Sequence, residues 1–420
     1  MNFKIKINVT SVIEVMLVIL ILMIMSRSMI TQLNILTGLP IFSNSIVQFT
    51  VLFLILVLIV TQMKANGKLK IGLLPSILTF TLLFIILSVP LVSQSSFSYP
   101  VEVRNLLFSY LLIISLGLAR MVNLSFSNVS AIWKTVYLFI FCQAVLGILQ
   151  ALSRSPLVPT ELNGESIVNS IYYLNGRSSS YAYFLDLGAR VRAFGMTDSG
   201  LTLGMFSILG LCIPFQKAKG ILGIISDLLF LLAIIFTYTR LIWLIAIIIL
   251  LLKIAFKFTN FKDEFVKLVY YTNLGVSFCF LFFVLVGKLV TETTFFSTLI
   301  SRFNGYYYFL NAFSYNLFSV LLGQNFLNRI PMFYTIYSLD NELLKVFGDI
   351  GIIGLLIVIV FFIEVLKETN FKKHIFIGVY LSLFPLMGIA NSTLYFSSGL
   401  LLLVSTTLDD KFSLKREEKA

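Results

Sequence analysis

The chain has 420 residues, of which 58% are hydrophobic and 12% are charged, and its formal net charge is +12. Soluble globular proteins have about 45–50% apolar and about 25% charged residues, so this composition excludes a soluble enzyme or a soluble binding domain. The apolar runs are about 18–23 residues long, the length that an α-helix needs to cross about 30 Å of hydrocarbon. We therefore predict an all-α polytopic protein embedded in a lipid bilayer.

About twelve membrane-spanning helices are expected along the chain, with both termini on the cytoplasmic side. One apolar run, 220–257, is too long for a single crossing, and we divide it at Thr237–Arg240. The expected spans are 10–30, 45–62, 71–92, 104–120, 132–152, 194–214, 220–238, 240–257, 268–290, 342–366, 375–390 and 392–408. Together they are expected to form a single transmembrane domain over residues 1–420.

The cationic residues are distributed unevenly between the two sides of this predicted membrane arrangement. Most of the 31 lysines and arginines fall on one side, which the positive-inside rule assigns to the cytoplasm. The cations on that side are almost all lysines, whereas most on the outer side are arginines. Guanidinium grips phosphate oxygens through two parallel hydrogen bonds, so the outer arginines indicate an anionic substrate such as a phosphate or diphosphate. The alternative is that individual arginines pair with carboxylates such as Glu102 or Asp198.

The net positive charge is explained by this topology and by attraction to anionic lipid headgroups. We therefore expect no nucleic acid among the partners. The three cysteines, Cys142, Cys212 and Cys279, all fall inside expected spans, where they are interpreted as small core residues. Their spacing fits no zinc site, and we expect neither a metal nor another cofactor.

Two outer connections, at about 153–193 and 291–341, are much longer than the others. Long ordered loops in compact proteins usually carry function. Both loops combine aromatic rings with amides and cations, as in the second loop at Arg302 and Tyr306. Aromatic rings and amides suit the faces and hydroxyl groups of sugars, and we expect Tyr306 to help bind one. The alternative is that such tyrosines anchor the loop at the lipid headgroup level.

A polar junction, Asp340–Asn341–Glu342, ends the second long loop and runs directly into an apolar helix. One hypothesis is that these side chains contribute to an acceptor site, with Asp340 as the general base. The alternative is that Asp340 or Asn341 caps the helix, with Glu342 in its first turn.

Several short motifs together resemble the O-antigen polymerase and O-antigen ligase superfamily. That family shows an Arg-x-x-Gly opening, a Thr-x-Ser-Arg segment, a Gly-x-Gly in the outer loop, and a His-Asn-x-x-Leu ahead of Gly-x-x-Gly-Leu. The resemblance covers roughly 190–360, and these motifs are short and degenerate. The corresponding segments here are Arg190–Gly200, Thr237–Arg240, Leu321–Asn325, Asp340–Lys345 and Gly351–Leu356.

The resemblance implies a glycosyltransferase that uses an undecaprenyl-diphosphate-linked oligosaccharide on the outer face of a bacterial cytoplasmic membrane. It maps the family arginines onto Arg192, Arg240 and Arg302, with Arg240 in a catalytic role and the other two in substrate binding. Thr239 stands where the family usually has Ser, and Asp340 stands where ligases carry His. The second departure favours a polymerase over a ligase. The further expected substrate-binding residues are Arg190, Asn341, Glu342 and Tyr306.

Three other functions remain open at this point. An O-antigen-ligase-type glycan transferase would use the same donor, and a lipid-linked oligosaccharide flippase would also have about twelve helices and a cationic lumen. A flippase should place its arginines within spans and show two related halves, whereas here they lie at outer helix ends and loops. A scaffold in an envelope synthesis complex would explain the helices but not the arginines. For a polymerase, a chain-length regulator and other polysaccharide assembly proteins are the expected protein partners, and the product could be capsule, exopolysaccharide or O-antigen.

Overall fold

Helices make up nearly all of the regular structure in the part of the chain that the computed structural model describes. The described residues are 9–38, 43–66, 71–92, 98–163, 165–168, 192–213, 221–255, 297–326, 341–368, 371–388 and 393–407, with the single positions 268, 271, 272 and 275. Within them, the expectation of an all-α architecture is confirmed apart from one short pair of strands.

The helices are α1 (Val9–Met25), α2 (Met29–Thr37), α3 (Asn44–Asn66), α4 (Leu73–Val92), α5 (Tyr99–Met121), α6 (Val129–Ser153), α7 (Gly200–Cys212), α8 (Ile221–Phe236), α9 (Arg240–Ala255), α10 (Ser297–Ala312), α11 (Leu317–Leu322), α12 (Glu342–Glu368), α13 (Phe371–Ser382), α14 (Phe384–Gly388) and α15 (Leu394–Thr407). The two strands, β1 (Glu161–Leu162) and β2 (Glu165–Ser166), pair antiparallel.

Five of the described helices are long and apolar enough to cross a membrane, and there are six if the bent pair α1 and α2 counts as one span. Their length and composition support a membrane protein. The five are Asn44–Lys64, Leu73–Leu91, Tyr99–Met121, Val129–Ser153 and Glu342–Leu366. The remaining spans, their total of twelve and the placement of the termini stay predictions.

The first expected span, 10–30, is not a straight helix. Helix α1 ends at Met25 and α2 begins at Met29, with a bend of 100° between them. Arg27 lies in the break with a φ of 61°, in the left-handed region that a helix cannot contain. The prediction was therefore wrong for the last turn of this span. The apolar sequence does not reveal the break, because distant residues in the fold stabilise it.

The expected span at 194–214 begins later than predicted. Helix α7 starts at Gly200, where the Ser199 side chain accepts a hydrogen bond from the N–H of Thr202 and caps it. Its 13 residues are equivalent to about 20 Å of helix, which is shorter than about 30 Å of hydrocarbon. The residues before Ser199 are irregular, and they form part of the candidate site.

The chain divides into two compact units. The first comprises Met1–Gln62, Ser125–Asp263 and Asn370–Tyr380. In it α6 is the central helix, since it packs against α1, α7 and α8, and α9 packs against α7 and α8.

The second unit comprises Met63–Leu124, Glu264–Thr369 and Leu381–Ala420. Helix α5 packs between α4 and α15 there, and α12 contacts α4, α11 and α15. The described part of the expected loop 291–341 contributes α10 and α11, so this loop contains helical structure of its own.

Candidate functional site

The irregular segment 192–199, which leads into α7, is held in the first unit by a buried glutamine of α6. The Oε1 atom of Gln150 accepts hydrogen bonds from the backbone N–H groups of Phe194 and Gly195, at 3.2 and 2.9 Å. Its Nε2 atom donates to the carbonyl of Gly195 at 2.9 Å. One side chain therefore pairs with three buried backbone groups that have no helix or strand partner, because this segment is irregular.

A second glutamine of the same helix fixes the next residue. Gln143 lies two turns before Gln150, and its Oε1 accepts from the N–H of Met196 at 2.7 Å. The two amides face the same side of α6 because seven residues make almost two full turns. The backbone that follows Arg192 is thus held along its length by α6.

The structure brings the backbone segments of two expected site arginines together. The N–H of Ala193 donates to the carbonyl of Phe236 at 2.9 Å. Ala193 follows Arg192 directly, and Phe236 is the last residue of α8, four positions before Arg240. Arg192 is partly buried, whereas Arg240 is exposed. Within the first unit, the segments carrying these guanidinium groups therefore meet at the turn between α8 and α9.

That turn is itself well ordered. The hydroxyl of Thr237 donates to the carbonyl of Ile234 at 2.7 Å, and the indole N–H of Trp243 donates to the same carbonyl at 2.9 Å. Arg240 is the first residue of α9, so its charge lies beside the positive end of a helix dipole. A guanidinium group at a helix N-terminus suits an anion with several oxygens, because the helix dipole also favours negative charge there.

Arg27, which the sequence prediction also places on the outer side, has a carboxylate partner in the first unit. The Nη1 atom of Arg27 lies 3.3 Å from Oδ2 of Asp198, whose Oδ1 accepts from the hydroxyl of Thr202 at 2.5 Å. The N–H of Asp198 donates to the carbonyl of Ser26 at 3.0 Å. For Arg27, pairing with an acid explains the residue, as the alternative interpretation of the outer arginines expected.

In the second unit, Asn341 caps the N-terminus of α12. The Oδ1 atom of Asn341 accepts from the N–H of Leu344 at 3.0 Å, and Asn341 is buried. This is the geometry of an N-cap residue. The capping interpretation is therefore confirmed for Asn341, and a substrate contact by its amide remains a prediction.

Glu342 joins two helix N-termini. It lies in the first turn of α12, and its Oε2 accepts from the N–H of Leu394, the first residue of α15, at 3.1 Å. A carboxylate beside two helix N-termini is stabilised by both dipoles. Its other oxygen, Oε1, is buried and has no hydrogen-bond partner among the residues that the structure describes.

The segment Gly323–Asn325 crosses a break in α12. Ile350 and Gly351 leave the helical conformation, and Gly351 has a φ of 69°. The N–H groups of Gln324 and Asn325 donate to the carbonyls of Gly348 and Asp349, at 3.0 and 3.2 Å. The Gly-Gln-Asn segment therefore lies directly on the broken helix.

Buried polar pairs surround this crossing. Nδ2 of Asn325 donates to Oε2 of Glu102 at 3.1 Å, and the Tyr110 hydroxyl donates to Oδ2 of Asp349 at 3.3 Å. All four side chains are buried. Ionisable groups inside a bundle of apolar helices are costly and usually functional, so these carboxyls belong to the candidate site of the second unit.

Tyr306 lies in an aromatic cluster instead of on a surface. It is fully buried and packs with Phe309, Phe313 and Phe326 in the second unit. Packing accounts for this residue in the structure, so Tyr306 is not part of the proposed site. Its expected sugar binding stays an untested prediction.

The remaining expected site residues are only partly covered. Arg190 and Asp340 lie outside the described residues. Arg302 lies on α10, and its side chain is likewise outside what the structure describes. Their roles remain predictions.

Sequence reasoning did not single out Gln143, Gln150, Asp349 or Tyr110. The available signal was polarity within apolar runs: two glutamines seven residues apart in the expected span 132–152, and an acid within the span 342–366. Such residues inside a membrane helix usually have a partner or a function.

Cys142 and Cys212 carry free thiols, and Cys279 lies outside the described residues. In the part of the chain that the structure describes, no group of three or more His, Cys, Asp or Glu side chains is placed to hold a metal ion.

Comparison with known proteins adds no family to these observations. No protein-family model matches the chain, and no curated protein matches its sequence. The likeness to the O-antigen polymerase and ligase superfamily therefore rests on the short motifs quoted above.

Proposed function

We propose that the chain is a polysaccharide polymerase that joins undecaprenyl-diphosphate-linked oligosaccharide repeat units on the outer face of a bacterial cytoplasmic membrane. The donor is the lipid-linked glycan, and its diphosphate is bound by Arg192 and Arg240. The sequence prediction adds Arg190 and Arg302 as substrate-binding residues. The reaction uses no nucleotide, since the diphosphate already provides a leaving group.

The observation that carries the proposal is the hydrogen bond from Ala193 to Phe236. It supports diphosphate binding because it joins the backbone before α7, which carries Arg192, to the turn that ends at Arg240. A diphosphate presents several oxygens, and two guanidinium groups can each engage it through paired hydrogen bonds. Holding both on hydrogen-bonded backbone limits the motion that would otherwise weaken the contact.

The chemistry is a displacement at the anomeric carbon of the donor glycan. A hydroxyl oxygen of the acceptor glycan forms a bond to that carbon, the bond from the carbon to the diphosphate oxygen breaks, and undecaprenyl diphosphate leaves. Negative charge grows on the leaving oxygen, where arginines can stabilise it. The acceptor proton passes to a base, for which Asp340 is the assigned residue. A single displacement of this kind inverts the anomeric centre.

The proposal places Asn341 and Glu342 near the acceptor, next to Asp340 in the sequence. The cap made by Asn341 and the bond from Leu394 to Glu342 support a rigid junction. Rigid support of this kind favours precise placement of an acceptor hydroxyl. A chain-length regulator and other assembly proteins are assigned as partners on the same polysaccharide.

Polymer output from membranes of variant strains tests the arginine assignment. Arg192→Lys and Arg240→Lys keep the charge but lose the bidentate fork, and each should reduce polymer by more than about tenfold, equivalent to about 1.4 kcal/mol. The matched control is Arg104→Lys, because Arg104 is an exposed outer arginine on α5 that belongs to no proposed site.

The outcome that would overturn the assignment is normal polymer from Arg192→Lys and Arg240→Lys proteins that are stably inserted. Equal loss in Arg104→Lys would show that the assay responds to any outer arginine, and it would also count against the proposal. Transfer of a single finished chain without polymer growth would favour a ligase-type transferase.

A further inference from the structure

The two glutamines of α6 are unusual side chains for their position. Gln143 and Gln150 are buried, with exposed fractions of 5% and 0%, in a helix that is otherwise strongly apolar. Burying an amide without hydrogen bonds costs a few kcal/mol in proteins, roughly 1–3. Their hydrogen bonds run to backbone groups of 194–196, apart from one from Gln143 Nε2 to the sulfur of Met29.

The segment they hold has an unbroken series of satisfied N–H groups. Each backbone N–H from Ala193 to Asp198 donates a hydrogen bond, although the segment is neither helix nor strand. The acceptors, in order, are the Phe236 carbonyl, Gln150 Oε1 twice, Gln143 Oε1, the Phe194 carbonyl and the Ser26 carbonyl. Side-chain amides thus supply three of the six acceptors in the segment.

This arrangement fixes the backbone immediately after Arg192. A side chain's direction is set by its own backbone, so a shift of the clamped segment would move the guanidinium. A displacement of about 1 Å at a binding group can cost about a hundredfold in rate. The distance from α6 to this segment therefore governs where the charge of Arg192 lies relative to the turn before Arg240.

We propose that Gln143 and Gln150 are positioning residues that hold Arg192 in place for diphosphate binding. This inference rests on the proposed function and extends it to two residues that touch no substrate. The necessary feature is the acceptor oxygen at each position, and at Gln150 also the donor to the Gly195 carbonyl.

Substitutions at Gln143 can separate loss of the acceptor oxygen from a change in side-chain shape. Gln143→Met has a similar length but no oxygen acceptor, whereas Gln143→Glu keeps an acceptor for the Met196 N–H. Gln150→Met removes three hydrogen bonds at once and is the variant most at risk of misfolding. The matched control is Gln48→Met, since Gln48 is a buried glutamine of α3 with 8% exposure. Among the described residues, Gln48 makes no hydrogen bond to the segment 192–199.

The experiment measures the Kd of undecaprenyl diphosphate for the 420-residue protein in nanodiscs, with thermal unfolding as a check on folding. Gln143→Met should raise Kd at least tenfold, while Gln143→Glu and Gln48→Met should stay within about threefold of the parent protein. The double variant Gln143→Met with Arg192→Lys should bind no more weakly than Arg192→Lys alone, because both changes remove the same contact.

Three results would overturn the inference. Parental affinity in Gln143→Met, with weakened binding in Arg192→Lys, would reject positioning while leaving the proposed function intact. An equal loss in Gln143→Glu and Gln143→Met would show that the acceptor oxygen is not what matters. Parental affinity in Arg192→Lys would remove the diphosphate assignment, and the positioning role would fall with it.

Discussion

Arg27 and Asp198 are 171 positions apart in the sequence, yet the guanidinium of one lies 3.3 Å from the carboxylate of the other. The Asp198 side chain is 5% exposed and that of Arg27 is 25% exposed. The pair joins the break between α1 and α2 to the segment that carries Arg192. Arg27 therefore has a structural role in the first unit.

Removing the acid of this pair should destabilise the first unit. Asp198→Ala leaves Arg27 and the Thr202 hydroxyl without the carboxylate and should cost about 1–3 kcal/mol of unfolding free energy. Asp198→Asn should cost less, because its amide oxygen can still accept from Thr202. Thermal unfolding in detergent measures both. Equal stability of Asp198→Ala and the parent protein would mean that the pair contributes nothing.

The backbone of 321–323 lies directly against Gly351, so a single added methyl group there should strongly lower stability. A Cβ there would meet the carbonyl of Leu321 and the nitrogen of Gly323, at a φ of 69°. Gly351→Ala should add about 1–3 kcal/mol of overpacking to the cost of a left-handed residue.

Gly38 is a control that separates the cost of overpacking from the cost of a left-handed residue. It also has a positive φ, of 66°, but a Cβ there would meet nothing within 4 Å. Gly38→Ala should cost only about 1–2 kcal/mol. The yield of folded protein and its unfolding temperature measure the difference, and equal effects of the two alanines would contradict the crowding at the crossing.

The cap at α12 allows the base hypothesis to be tested without disturbing the helix. Since Asn341 is the observed cap, Asn341→Ala should cost about 1 kcal/mol of stability and Asn341→Asp much less. Asp340→Asn leaves this cap in place but removes a group that can accept a proton.

Polymerisation by the Asp340→Asn variant is then the informative measurement. If Asp340 is the base, the rate should fall by more than about tenfold while thermal stability stays unchanged. General-base catalysis typically contributes about a hundredfold or more to a rate. Full activity of this variant in membranes supplied with lipid-linked repeat units would eliminate that role.

The orientation can be tested by labelling single cysteines from outside the cell. In a background lacking the three native cysteines, probes in 153–193 and 291–341 should react with an impermeant reagent. Probes beside Lys68, Lys262 or His374 should stay unlabelled until the membrane is opened. The reverse pattern would invert every site assignment.

The regular spans were predictable from apolar length alone. Expected spans 45–62 and 132–152 correspond to the observed helices Asn44–Asn66 and Val129–Ser153 within a few residues. The division before Arg240 also agrees with the observed end of α8 at Phe236. Local sequence is sufficient in these places because hydrophobicity and length determine a membrane helix.

The breaks in the helices were not predictable, because distant residues stabilise them. The turn at Arg27 depends on Asp198, and the left-handed Gly351 depends on the backbone of 321–323. The glutamines of α6 were visible as polar residues in an apolar span, but their partners at 194–196 were not. The short motifs point to segments such as 190–200 and 237–240, but they do not show which side chains hold these segments in place.

Reconstitution tests the central claim most directly. The purified chain in liposomes, supplied with undecaprenyl-diphosphate-linked repeat units and no nucleotide, should produce a ladder of polymers and release one undecaprenyl diphosphate for each linkage. Arg192→Lys should reduce the rate of both products more than about tenfold. Transfer of unchanged lipid-linked units across the bilayer, with neither polymer nor free undecaprenyl diphosphate, would contradict a polymerase and establish a flippase.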